Sequence, residues 1–209
     1  MSLHMPITKR RISHHFQYSI WMYLLLVVLA LFAWNLIYTT TRYQPPEAMR
    51  VEFFVQAPAA SEEGLNALAD RIHQDVMPDM ELVTAQSVTI TEDYYGDMQL
   101  TVWISAAQGD IYLLADEYFE RYAKSGAFLD LQPYVDSGQL DIGSLDASSG
   151  ILQATDTDFK GLYGIPADGL TGFADMLVSA ENKMLCVLFR NGNDEYTIKF
   201  LNYLLTHLQ

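Results

Sequence analysis

Gln56, Asp116 and Asp168 are the side chains whose types and setting in this sequence suit them best to chemistry. Each follows a short apolar run that reads as a strand: Arg50–Val55, Asp110–Leu114 and Leu162–Ile165. In a doubly wound sheet the loops at the carboxyl ends of the strands form the ligand crevice. An amide and two carboxylates gathered there could donate to or accept from sugar hydroxyls, or hold an amine. Ala57 and Pro58 share the first of these loops and Glu117 the second. A plainer structural reading stands beside this one, with Asp116 capping a helix and Asp168 sitting in a turn.

Catalytic signatures are thin, and the expectation is a non-enzyme without a cofactor or a metal site. The sequence has no G-x-x-x-x-G-K-[ST], no H-E-x-x-H and no G-x-S-x-G. His73 and His207 fall within predicted helices and read as surface histidines, so no serine has an oriented base. His4, His14 and His15 belong to the N-terminal tail. Asp156-x-Asp158 hints at a calcium loop, but Lys160 takes the next ligand position and Ala167 that of the closing carboxylate. Cys186 is the single cysteine and lies inside the apolar stretch Met184–Phe189, so an internal disulfide is excluded and a buried thiol is expected.

The elements that must position these residues follow from periodicity. Ser61, then Glu62 and Glu63, opens a helix whose Leu65, Leu68, Ile72 and Val76 recur at helical spacing. Glu81–Thr91 holds a second strand. Asp93 starts a helix through about Gln108, with Gly109 as its left-handed cap. The run Asp110–Leu114 reads as a strand buried on both faces, and Asp116–Ser125 as a helix stopped by Gly126. Pro133 seeds a short helical turn, 143–161 reads as a polar loop, and Met184–Phe189 is a further strand. Asn193, Asp194 and Glu195 announce a last helix from about Asp194 to His207, with Tyr196, Ile198, Phe200, Leu201, Leu204, Leu205 and Leu208 on its apolar face. Alternating strands and helices predict a three-layer α/β domain around a mostly parallel sheet.

Ahead of that domain, Ile20–Tyr38 is an almost unbroken apolar run, close to the ~20 residues a helix needs to cross a bilayer core. Lys9, Arg10 and Arg11 precede it and no acid stands before Glu47, which places the N-terminus in the cytoplasm and the rest outside. A cleaved secretory signal is the alternative, although its apolar core is normally about 7–15 residues long. The expected organisation is a basic tail (1–17), a transmembrane helix (18–39), an extended linker built on Pro45 and Pro46 (40–49) and an extracytoplasmic domain (50–209). Residues 43–209 hold all 26 acidic groups and 8 of the 12 Lys and Arg, so this domain is more acidic than the chain's formal −14. Such a surface repels phosphate backbones and excludes nucleic acid as a partner.

The stretch GDIYLLADEYFERYAKSGAFLDLQPYV (Gly109–Val135) resembles the extracytoplasmic solute-binding proteins of bacterial ABC importers, in their sugar-binding branch. It matches their order of strand, acidic turn, helix, small-residue break and short helix. LYGIPA (Leu162–Ala167) is similar to the strand that heads for the hinge. LCVLFRNGNDEYTIKFLNYL (Leu185–Leu204) is similar to the strand, turn and helix that return to the first lobe. The resemblance implies lobe one of a periplasmic-binding-protein fold. Between Ile165 and Met184 the family inserts most of a second lobe, and this chain has only about twenty residues there, too few for half of a ligand-enclosing clamshell. The resemblance therefore implies a membrane-tethered single lobe acting as an accessory or interaction module beside a transporter permease or a sensor, with a small solute such as a sugar as its ligand. The other reading it allows is an importer's substrate receptor whose second lobe comes from dimerisation or another subunit.

Overall fold

The computed structural model describes residues 9–41, 43, 45–90, 94–153, 160–189 and 194–209. It divides into two units, Met1–Gln44 and Pro45–Gln209. The first holds helix α1 (Lys9–Thr41), within which Ile20–Thr41 is long and apolar enough to cross a membrane and is nowhere buried. The helix runs on through Thr41, into the segment expected to be extended. The hydroxyls of Thr39, Thr40 and Thr41 donate to the carbonyls of Asn35, Leu36 and Ile37 at 2.9, 2.8 and 2.6 Å, each folding a polar side chain back onto the helix's own backbone.

The second unit is built on strands β1 (Arg50–Gln56), β2 (Leu82–Val88), β3 (Ile111–Ala115), β4 (Ile151–Gln153), β5 (Lys160–Leu162), β6 (Ile165–Pro166) and β7 (Lys183–Val187). Its helices are α2 (Glu62–Asp75), α3 (Tyr94–Ser105), α4 (Asp116–Lys124), α5 (Gln132–Asp136) and α6 (Asp194–His207). The main sheet has the order β2-β1-β3-β7-β6. β1 lies parallel to both β2 and β3, while β7 runs antiparallel to β3 and β6. Four of the strands thus share one direction and β7 alone opposes them, which gives the mostly parallel sheet that the sequence predicts.

Alternation along the strands separates two apolar layers. Val51, Phe53 and Val55 of β1, Ile111 and Leu113 of β3, and Leu185 and Val187 of β7 pack against Leu65, Leu68 and Ile72 of α2 and Ile198, Leu201 and Leu205 of α6. On the other face Phe54, Tyr112, Leu114, Met184 and Cys186 meet Leu100 of α3 and Tyr118, Phe119 and Tyr122 of α4. These are the three layers of the expected α/β class. Asp110 locks the sheet just before β3: its carboxylate accepts from Glu52 N at 2.8 Å, its N–H donates to Glu52 O, and its carbonyl accepts from Leu188 N.

Several local expectations need correction. α3 ends at Ser105, and Ala107 (φ 50°), ahead of Gly109, takes the left-handed position behind it. Gln108 N donates to Trp103 O and Ala107 N to Ile104 O, the paired bonds that close a helix through such a residue. Gly109 is also left-handed (φ 72°), and a Cβ there would sit 2.9 Å from the Phe54 ring. The expected strand Leu162–Ile165 is split into β5 and β6 by Tyr163 and Gly164, where a Cβ would lie 2.6 Å from Phe119. The region expected to be loop holds a 3-10 turn (Ala147–Gly150) and the β4–β5 pair. Asp93, Asp156, Asp158 and Asn193, which figure in the sequence reading, lie outside the described residues.

The link between β6 and β7, residues 167–182, is a structured part of the core. It folds a 3-10 helix (Thr171–Met176) whose Phe173 is fully buried, with its ring 6.3 Å from that of Phe53. Met176 O accepts from Ser61 N at 2.8 Å, tying the link to the start of α2, where Ser61 caps the helix by accepting from Gly64 N.

Candidate functional site

Gln56, Asp116 and Asp168, distant in sequence, meet at the carboxyl ends of β1, β3 and β6. Gln56 is the last residue of β1, and its side-chain oxygen accepts from Ala115 N at 2.7 Å, across the adjacent end of β3. Ala115 is the N-cap of α4, so Asp116 is the first residue inside that helix and does not cap it with its side chain. Asp168 lies in the turn after β6, and its carboxylate accepts from Asn182 N at 2.9 Å. Asn182 O in turn accepts from Asp116 N at 3.2 Å.

Two residues that sequence reasoning did not single out complete this rim. Lys183 starts β7 opposite Ala115, and its ammonium donates to the backbone carbonyl of Gln56. Asn182 precedes it in the left-handed region (φ 53°). Both were hidden because β7 runs against its neighbours: in an antiparallel strand the first residues, and not the last, arrive at the rim. An apolar run with a basic residue in front was the available signal, but it becomes readable only once strand direction is known.

Electrostatics follow from this crowding. The Asp116 carboxyl is held above its ordinary range, first by partial burial and then by the negative charges of Asp168 and Glu120. Burial pushes the Lys183 ammonium below its ordinary value. Asp168→Asn keeps an oxygen for the Asn182 N–H and removes one of the charges facing Asp116. The Asp116 titration midpoint, followed by NMR, should therefore fall toward the ordinary carboxyl value. An acid with a raised folded-state pKa contributes stability below its unfolded pKa and loses it as pH rises through the folded one. Asp168→Asn should accordingly raise the melting temperature at neutral pH, with the gain fading as pH falls through the Asp116 midpoint.

The rim offers carboxylate acceptors, a side-chain amide and a half-buried ammonium, a set suited to hydroxyl groups or an amine. His73, His207 and Cys186 are engaged away from the rim. The His73 ring is half-buried, not at the surface, and bonds Met80 O at 2.8 Å, while His207 stacks on Tyr203 with ring centroids 3.9 Å apart. Cys186 is fully buried, as expected, and burial pushes its thiol well above the ordinary value. Among the described residues no three His, Cys, Asp or Glu side chains are grouped to hold a metal ion. A depression of about 420 Å³ between α5 and the start of α6 shares none of the rim residues. Four of its polar side chains pair with one another: the Tyr134 hydroxyl donates to Asp194 at 3.4 Å, and Lys199 pairs with Glu195 at 2.7 Å.

No family model and no curated protein matches the chain. Among solved structures it is similar to a family 1 extracellular solute-binding protein from Alicyclobacillus acidocaldarius, with a TM-score of 0.42, 21% identity, and coverage of 60% of this chain and 29% of that one. An ABC substrate-binding protein from Listeria monocytogenes in complex with cycloalternan gives a TM-score of 0.39, 21% identity, and coverage of 55% and 28%. A de novo designed esterase gives 0.42 and 16%, with coverage of 57% and 28%. The chain thus spans less than a third of the length of each of these neighbours, and they include the family that its sequence resembles.

Proposed function

We propose that this chain displays a single solute-binding-like lobe from a membrane anchor and serves as an accessory or interaction module beside a transporter permease or a sensor. The observation that carries the reading is the 167–182 link. At the place where a two-lobed receptor leaves its first lobe, this chain turns back through a short 3-10 helix buried on α2 and enters β7. The link spans only residues 167–182 and buries Phe173 and Met176 in the core, too little chain to build a second lobe over Gln56, Asp116 and Asp168, so a solute resting there keeps one side in water. At ~25 cal/mol/Å², forgoing ~150 Å² of apolar contact weakens binding by about 4 kcal/mol, close to a thousandfold. The rim residues then act as weak solute contacts, and the exposed apolar helix Ile20–Thr41 confines the lobe to the membrane. Lys9, Arg10 and Arg11 ahead of that helix favour a cytoplasmic N-terminus.

The test is calorimetric titration of the full chain, in detergent micelles, with malto- and galacto-oligosaccharides. Millimolar or weaker binding is expected, and submicromolar binding to the monomer would sink the single-lobe reading. Site-specific photocrosslinking from Asp168 in intact membranes should give a covalent adduct with a permease or a sensor.

A further inference from the structure

The long helices of the second unit differ in what they turn to the outside. α2 exposes Glu62, Glu63 and Asp70, α4 exposes Glu117 and Glu120, and α6 exposes Glu195. α3 exposes Tyr95 (71%), Met98 (48%) and Val102 (56%) instead. Spaced three and four residues apart, these side chains share one face of the helix. Asp97 is the only charged residue of α3, and it is paired with Arg121 of α4 at 2.8 Å. The inner face is used by the core: Leu100 is fully buried, and the half-buried Trp103 ring lies 5.6 Å from that of Phe54. The outer apolar stripe is therefore surplus to the packing of the domain.

Given the membrane anchor proposed above, we propose that this stripe seats α3 on the lipid surface, at the depth of the headgroups. Three features select lipid as the occupant. α1 ends at Thr41 and β1 starts at Arg50, so only residues 42–49 separate the lobe from its anchoring helix, a reach of at most about 30 Å. Tethering that short presents lipid to any exposed apolar face at high effective concentration, with no second protein required. The tether also enters beside α3, because Asp110, shortly after that helix, donates its N–H to Glu52 O at 2.9 Å near the start of β1. Finally, faces rich in carboxylates are repelled by anionic lipid, whereas α3 brings only a paired charge. A tyrosine, a methionine and a valine along one helical face suit the bilayer interface. The charges of α4, on the same side of the sheet, keep the contact shallow. A crossover helix runs back along its sheet, so with α3 in the membrane plane the strands lie along it too. The rim at their carboxyl ends then looks sideways, toward a permease or a sensor in the same membrane.

The test uses the full chain in phosphatidylcholine nanodiscs, with a nitroxide on Gln99→Cys, an exposed position next to Met98; the buried Cys186 does not compete for the label. This nitroxide should lose most of its collisions with a water-soluble nickel chelate and keep those with dissolved oxygen. A nitroxide on Gln74→Cys of α2 should stay open to both. Met98→Glu combined with Val102→Glu should return the Gln99 label to the Gln74 pattern, with the circular dichroism unchanged. Trp103 fluorescence in a Trp21→Phe, Trp34→Phe chain, which keeps a single tryptophan, should be quenched by lipids brominated on the upper acyl chain. That readout needs no change in α3. Flotation with phosphatidylcholine vesicles separates the docking from the anchor. A chain that floats while its Gln99 label stays as wet as the Gln74 label, or its Trp103 stays unquenched, would overturn the docking and leave the anchor standing. A chain that does not float would remove both.

Discussion

Phe173→Ala is expected to destabilise the second unit by about 3–5 kcal/mol, the range for truncating a fully buried phenylalanine. Its ring has no solvent exposure and packs 6.3 Å from the ring of Phe53, which itself meets Phe200 edge-on at 5.6 Å. The cavity would open between the β6–β7 link, β1 and α6, three elements that relax poorly because each is anchored elsewhere. Urea denaturation followed by circular dichroism would measure the loss as a lower midpoint with an unchanged slope. The outcome bears directly on the single-lobe reading. If the link were a loose remnant with no part in the fold, the substitution would cost less than about 1 kcal/mol, as surface changes do.

Gly150→Ala should be at least as damaging, with a loss of about 3 kcal/mol or more. A Cβ at this position would lie 1.8 Å from the carbonyl oxygen of Gly164, which is backbone and cannot swing aside as a side-chain tip would. Gly150 O also accepts from Tyr163 N at 2.9 Å, so separating the two chains breaks the bond that holds the β4–β5 pair to the start of β6. A melting temperature within a few degrees of the unmodified protein would show that the crossing can relax, contrary to this expectation.

Much of the layering was legible because strong periodic signals and end signals agreed. Ser61 with the two glutamates behind it marks the start of α2, and Leu65, Leu68 and Ile72 mark its buried face, as found. The apolar run at β3 and the glycine after α4 are equally plain, and Gly126 does adopt φ 77°. β4, and β5 ahead of Leu162, escaped notice because three residues are too few to display alternation against a polar background. The role of Asp110 was hidden for another reason: its partner is a main-chain N–H 58 positions away, and backbone donors leave no mark in a sequence.

The candidate rim was legible in part. Gln56, Asp116 and Asp168 were found by assuming that strand ends gather, which holds for strands running in one direction. The same assumption hid Asn182 and Lys183, which reach the rim at the beginning of the reversed strand. The side-chain oxygen of Gln56 and one oxygen of Asp168 are also taken by main-chain N–H groups, so each stiffens the rim as well as facing outward from it.

β7, the last strand in chain order among the described residues, occupies an interior position between β3 and β6. Until residues 183–187 have been synthesised, β3 has no neighbour on that side and β6 has none on either. β1, α2 and β2 can assemble early from local contacts, but closing the sheet awaits a pairing that spans 74 residues between Tyr112 and Cys186. Nascent chains paused short of β7 should therefore be sticky and protease-sensitive, and the final step of folding should be an insertion into the sheet.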